Sequence, residues 1–517
     1  MRTVIVAVTA AAVVASPVAV PAAAARPATV GPETIGIAWN ACADPALRNA
    51  GVECGFVSVP LDHAKPTGTR IRLAVSLKRH TVPRAKYQGV MLVNPGGPGA
   101  SGLGLALLGQ DVPGKAGGAY DWIGFDPRGV GASRPALRCV PNYFAGPRPD
   151  YVARTKTLEK AWLNRSEAYA DACAKNGGAL LRHIRTVDHA KDVDHIRAAL
   201  GRPTINFYGY SWGTYLGQVY ATLFPSRVRR MVLDSNVHPD QVWYEANLDQ
   251  NWAFDRNFKI WTGWVAKHDK VYRLGKSAAA VRKVYYAEQA KLRAKPVGVV
   301  GPAEWSDAFV PVGYSQAYWP LVATAFANRV TKGDITLIRQ LFEAFNGVGD
   351  DNGFANYLAT GCTDARFPAK WDTWRRDASR IHAKAPFLAW NNTWFNAPCH
   401  FWRAPAGKPV TVDGRRVATV LLIGETLDAP TPFEGSLRVR KLFPRARLLA
   451  VPGGPNHGAS LFGNACVDNV VAAYLATGTL PSRKSGSRAD ATCAPRPEPT
   501  PEVARHAPRP TPPHRFS

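Results

Sequence analysis

Short apolar runs that end in glycine-rich turns set the rhythm of the first half of this chain. Val90–Val93 leads into Asn94-Pro95-Gly96-Gly97-Pro98-Gly99, Trp122–Phe125 into Asp126-Pro127-Arg128-Gly129, and Ile205–Tyr208 into Gly209-Tyr210-Ser211-Trp212-Gly213. Such runs, bounded by turn residues, predict strands buried on both faces. Upstream, residues 55–60 and 70–77 alternate around a Lys65-Pro66-Thr67-Gly68 turn and predict two further strands. Val193, Ile196 and Leu200 fall on one side of a helix over 187–200 that Gly201 closes, and Arg230–Asp234 reads as another short strand. Strands alternating with helices predict an α/β fold with a mostly parallel central sheet covered on both faces.

That rhythm stops near Asn236. As far as His400 the pattern is helical and tryptophan-rich, and apolar strands resume at 417–423 and 447–451. The expected organisation is therefore a leader over 1–25 and the first part of an α/β core over 35–235. A helical cap over 236–400 follows, inserted between core strands, then the C-terminal part of the core over 401–482. A Pro/Arg-rich tail over 483–517 is expected to be disordered. The cap's aromatic residues are expected to form its own core before they line any pocket.

Composition changes the picture in three places. Met1-Arg2, the apolar run Val4–Ala15 and the small residues Ala22–Ala25 have the layout of a secretory signal peptide. That run is short for a bilayer and no later stretch reaches membrane length, so an exported protein without integral membrane contact is expected. The eight cysteines suit an oxidising compartment. Pairing in order along the chain, Cys42 with Cys54, Cys139 with Cys173, Cys362 with Cys399 and Cys466 with Cys493, keeps every loop local. Zinc is the rival use of these cysteines, but neither C-x-x-C nor H-E-x-x-H occurs, and no metal and no cofactor are expected. The formal net charge is +26. Its basic residues are dispersed, without a polybasic run or a basic-aromatic ladder, which argues against nucleic acid and for solubility or attraction to an anionic cell wall.

The chemistry centres on Ser211. A serine between two glycines at a strand-to-helix turn is a nucleophile elbow: the tight turn lifts the hydroxyl out of the sheet, and the helix N-terminus behind it favours developing negative charge. A serine hydroxyl needs a general base, and the base needs a carboxylate to hold its tautomer. In this fold the order is Ser, then Asp or Glu, then His. His457 follows the last strand in Val451-Pro452-Gly453-Gly454-Pro455-Asn456-His457, and Asp428 follows the strand before it, with Glu425 as the rival acid. Trp212 N–H and a second N–H from the Asn94–Gly99 loop, Gly97 ahead of Gly96, are the expected oxyanion donors. A phosphate loop is the competing use of that segment, but no Gly-Lys-Ser/Thr follows. His183, His189 and His195 recur every six residues and scatter around a helix instead of forming a metal-binding face.

Asn94–Gly99, Gly124-Phe125-Asp126-Pro127-Arg128-Gly129-Val130-Gly131, the Gly209–Gly217 elbow and Asp428-x-x-Thr431-Pro432 together resemble the secreted tripeptidyl aminopeptidases of actinobacteria. These are α/β-hydrolases related to proline iminopeptidase, with a C-terminal segment that bears the Asp and His. The similarity spans about residues 35–480. It implies Ser211 as nucleophile, Asp428 as orienting acid, His457 as base, and an exopeptidase that removes short peptides from free N-termini. Two departures stand out: Tyr210 and Trp212 flank the serine, and Gly453–Asn456 makes a longer turn before His457 than the family pattern leads one to expect. An aminopeptidase must also hold a protonated α-amine. Glu245, Asp249 and Asp255 in the first cap helix are candidates, although their spacing equally suits a solvated helix face. The alternatives to a peptidase acting on peptides are an esterase or lipase-like hydrolase using the same residues, and a non-catalytic secreted binder on the same fold.

Overall fold

The computed structural model describes residues 36–501. The expected leader over 1–25 and the chain beyond 501 lie outside the described residues. Ten strands form one sheet: β1 (Asn40–Ala41), β2 (Glu53–Pro60), β3 (Arg70–Lys78), β4 (Val90–Asn94), β5 (Asp121–Phe125), β6 (Ile205–Tyr210), β7 (Val228–Asp234), β8 (Val420–Glu425), β9 (Ala446–Val451) and β10 (Ala491–Thr492). Their order is β1-β2-β3-β5-β4-β6-β7-β8-β9-β10. β1, β2, β3 and β5 pair antiparallel, and every ladder from β5/β4 to β9/β10 is parallel. β4, β5, β6 and β8 are buried at every residue, which is why they read as unbroken apolar runs.

The register aligns the strand ends. Asn94 pairs with Gly209, Tyr210 with Asp234, Asp234 with Ile423, and Glu425 with Val451. The segments after β4, β6, β8 and β9 therefore emerge along one rim, where ligands meet an open α/β sheet. Helices 186–199, 212–223 and 434–442 pack one face around Val193, Leu216 and Val439. The 3₁₀ turns over 103–119 and the helix Ala465–Thr477 pack the other face around Leu105, Leu108, Val467 and Val471.

Between β7 and β8 the chain is helical from Tyr244 to Phe401. Trp261, Trp264, Trp305 and Trp319 are buried together with Phe258, Phe309 and Phe326, so these tryptophans form the insert's own core. Insert and sheet belong to one unit that begins at Ile37. The four cysteine pairs are joined in chain order, as Cys42–Cys54, Cys139–Cys173, Cys362–Cys399 and Cys466–Cys493.

The expectation of a disordered tail needs correction over 483–501. β10 adds to the sheet edge beside β9, and Cys493 ties it to the helix at Cys466. Asp490 pairs with Arg440 at 2.7 Å, both side chains being buried. Burial alone would raise the Asp490 carboxyl, but Arg440 and the N–H groups of Leu448 and Lys484 hold it at about 2. Proline-rich composition misleads here because a disulfide and a buried ion pair supply the ordering energy that apolar content does not. Asp490→Ala leaves a buried guanidinium unpaired and is expected to cost about 3–5 kcal/mol. Urea denaturation measures this, and a loss below about 1 kcal/mol would contradict the role given to the pair.

Candidate active site

β6 ends at Tyr210, and the helix Trp212–Leu223 begins at once. Between them Ser211 adopts φ 55°, ψ −128°, a conformation costing a non-glycine residue about 1–3 kcal/mol. The surroundings enforce it: Ser211 N–H donates to Asp234 O at 3.1 Å, and Thr214 N–H to Ser211 O at 2.9 Å. A Cβ on Gly209 would lie 2.4 Å from the Gly213 carbonyl oxygen, so strand and helix can meet this closely only with glycine there.

The loop after β4 packs onto the elbow. A Cβ on Gly96 would lie 2.7 Å from that of Ser211 and 3.0 Å from the Trp212 nitrogen. Gly96 N–H already donates to Asn94 Oδ1 at 3.0 Å, which favours Gly97 as the donor offered to a substrate.

Asp428 and His457 meet from separate strands. Both Asp428 oxygens lie against His457 Nδ1, at 3.0 and 3.1 Å, and both side chains are buried. Asp428 also accepts from Thr431 N–H and Oγ1, each at 2.9 Å, which fixes its plane. With Nδ1 facing the carboxylate, Nε2 lies on the opposite side of the ring. The His457 loop is held from three sides. Its own N–H donates to Tyr314 O at 2.7 Å, Gly458 N–H to Ser235 Oγ at 2.7 Å, and Ala459 and Ser460 N–H to Asp234 Oδ2 at 2.9 and 2.8 Å. Asp234 thus binds Ser211 through its carbonyl and the histidine loop through its carboxylate. Sequence reading missed this residue. The signal was an aspartate closing an apolar strand beside the elbow strand.

The rival acid has a different place. Glu425 Oε2 accepts from Asn456 N–H at 2.6 Å and from Asn456 Nδ2 at 3.0 Å, so Glu425 anchors the residue before His457. Burial pushes its carboxyl up to about 7 against those bonds. A carboxyl raised in the folded state contributes stability in full below its ordinary value of 4.5, and that contribution is lost as pH rises through about 7. Glu425→Gln stays neutral and is expected to escape this loss. Thermal melts of wild type and variant should diverge as pH rises from about 4.5 to about 7, with the variant the more stable above that range, and parallel curves across it would contradict the assignment.

The amine candidates lie on two faces of one helix. Glu245 and Asp249 are exposed on the helix Tyr244–Lys267, and Asp255 is buried but paired with Lys259 at 2.6 Å. Spacing of four residues puts Glu245 and Asp249 on one face, while Asn247, Asn251, Phe254 and Phe258 occupy the buried one. Gln250 Nε2 and Asn257 Nδ2 from this helix reach Pro430 O and Leu427 O, at 2.9 and 2.8 Å, and so brace the Asp428 turn.

The chain is similar to known proteins over most of its length. Residues 89–309 match the family described as alpha/beta hydrolase fold, and residues 385–493 the family described as TAP-like protein. A tripeptidyl aminopeptidase of Streptomyces lividans is 40% identical over 479 residues, covering 90% of this chain and 88% of that one. The serine protease Hip1 of Mycobacterium tuberculosis is 31% identical, over 86% of this chain and 89% of its own. A protein named carboxylesterase B from the same species is also 31% identical, over 86% and 88%.

Proposed function

Because the chain belongs to the tripeptidyl aminopeptidase family of α/β-hydrolases, we propose that it releases tripeptides from free N-termini through an acyl-enzyme on Ser211. The protein is a serine hydrolase of the exopeptidase kind. The observation that carries the residue assignment is the Asp428–His457 pair, 3.0 Å apart, on the rim that also bears the strained elbow serine.

In this reading His457 Nε2 takes the Ser211 proton as Oγ adds to the scissile carbonyl carbon. Asp428 stabilises the imidazolium and keeps its Nδ1–H directed inward. The tetrahedral oxyanion accepts from Trp212 and Gly97 N–H. His457 then gives its proton to the leaving amine as the C–N bond breaks. Water, deprotonated by the same imidazole, attacks the ester, and the acid product leaves with Ser211 restored. The leader composition and the four disulfides support export, and the dispersed positive charge supports association with an anionic cell wall.

A second reading, an ester hydrolase, is favoured by one observation: a relative 31% identical over 86% of this chain is named carboxylesterase B. The two separate in one comparison. A tripeptide chromogen with a free amine is expected to be cleaved far faster than its N-acetylated form, and equal rates on both would sink the exopeptidase reading.

A further inference from the structure

We propose that the free N-terminus of the substrate is seated on a neutral cluster of amides and tyrosine in the cap, formed by Asn247, Asn251, Asn392, Asn396 and Tyr357, and not on a carboxylate. The inference rests on the exopeptidase reading and deepens it. Asn392 Nδ2 donates to Asn247 O at 2.9 Å and to Asn251 Oδ1 at 3.1 Å. Asn396 Nδ2 donates to Asn392 Oδ1 at 3.0 Å, and Tyr357 OH donates to Asn396 Oδ1 at 2.9 Å. Chain neighbours of the cluster reach both halves of the site. At one end Gln250, beside Asn251, holds the Asp428 turn through Pro430 O. At the other, Asn356, beside Tyr357, lies directly against Gly99 of the loop that carries Gly97.

Buried polar groups cost free energy unless they are satisfied. Asn247 is 8% exposed, and its Nδ2 has no partner among the described residues. To an ammonium, which only donates, this amide offers its oxygen. It stands beside the Tyr357 hydroxyl, whose ionisation burial opposes and the Asn396 and Asn247 amides ease. Tyr314 completes the enclosure. Its ring meets the His457 ring edge-on at 5.7 Å between centroids, yet 42% of the residue is exposed. Its hydroxyl is nevertheless pushed up to about 12 by burial. Tyr314 therefore stands between the base and solvent.

An α-ammonium brings three donors and one positive charge. Amide and hydroxyl oxygens can accept the donors, and tyrosine faces attract the charge. Each of the cap's buried carboxylates already has a partner in the fold. Asp255 pairs with Lys259, Glu288 with Lys291, Glu304 and Asp307 with Arg148, while Asp351 accepts from Tyr169 and Asp364 from Thr186. A neutral seat also has its own pH signature. Preference for the amine should fall only as the substrate amine itself deprotonates, near pH 8, with no acid limb from a host carboxylate.

The test compares a free-amine tripeptide chromogen with the analogue whose first residue lacks the amino group, using the mature enzyme. Wild type should prefer the free amine. Tyr357→Phe and Asn247→Leu should each cut that preference, as a ratio of kcat/KM values, by about tenfold or more, chiefly through KM. Variants that still react with a fluorophosphonate are folded; should Asn247→Leu fail this check, Tyr357→Phe, which removes one hydroxyl, decides. Glu245→Gln with Asp249→Asn should keep the wild-type preference and its pH profile. Folded variants that retain the preference, or its loss in the Glu245/Asp249 double variant, would overturn the neutral seat. A wild type without any preference would instead sink the exopeptidase reading beneath it.

Discussion

Ser211→Ala is expected to lower kcat by about 10⁶-fold, the scale seen when a triad serine is removed. The size follows from what the hydroxyl does: without it no acyl-enzyme forms, and only binding and the oxyanion donors remain to assist direct attack by water. Because the three residues act as a unit, adding His457→Ala to this variant should cost little more. Stability should hold or rise slightly, because alanine in the same backbone conformation keeps the bonds of this residue's N–H to Asp234 and of its carbonyl to Thr214. Turnover of a tripeptide chromogen and covalent labelling by a fluorophosphonate check the prediction together. A loss below about 10²-fold, or labelling that survives, would place the nucleophile elsewhere.

The second large effect separates two acids that lie three residues apart. Asp428→Asn is expected to lower kcat by about 10⁴-fold, because an amide facing His457 Nδ1 favours the wrong tautomer and cannot stabilise the imidazolium. Glu425→Gln should change kcat by less than about tenfold, since its contact is with Asn456 and not with the imidazole. Single-turnover measurements from pH 5 to pH 9 resolve both. If the Glu425 variant were the crippled one, the orienting role would pass to that residue and the geometry at Nδ1 would lose its meaning.

Much of this architecture is legible before folding. Apolar runs such as Val90–Val93 and Ile205–Tyr208 are strands because a parallel sheet covered on both faces demands unbroken apolar sequence. The glycines at 96 and 209 mark places where backbones touch. The helix Lys156–Gly177, by contrast, escaped notice. Its buried Trp162, Ser166, Tyr169, Ala170 and Cys173 do recur at helical spacing, but a serine and an alanine dilute the apolar signal.

Asp234 was invisible for another reason. Its worth lies in joining Ser211 to the segment 459–460, a contact over more than two hundred residues that no local pattern encodes. The tail over 483–501 misled in the same way, because its order comes from Arg440 and Cys466 and not from its own composition.

Local sequence therefore determined most of the strands, the serine elbow, and the order in which Asp428 and His457 follow it. These features depend on backbone preferences and periodicities acting over a few residues. Packing decided the rest: Asp428 and not Glu425 faces the imidazole, Glu245 and Asp249 turn to solvent, and the cap's asparagines gather beside Tyr357. Each of those outcomes depends on the direction in which one side chain leaves a turn or helix, and that direction is set by partners far away along the chain.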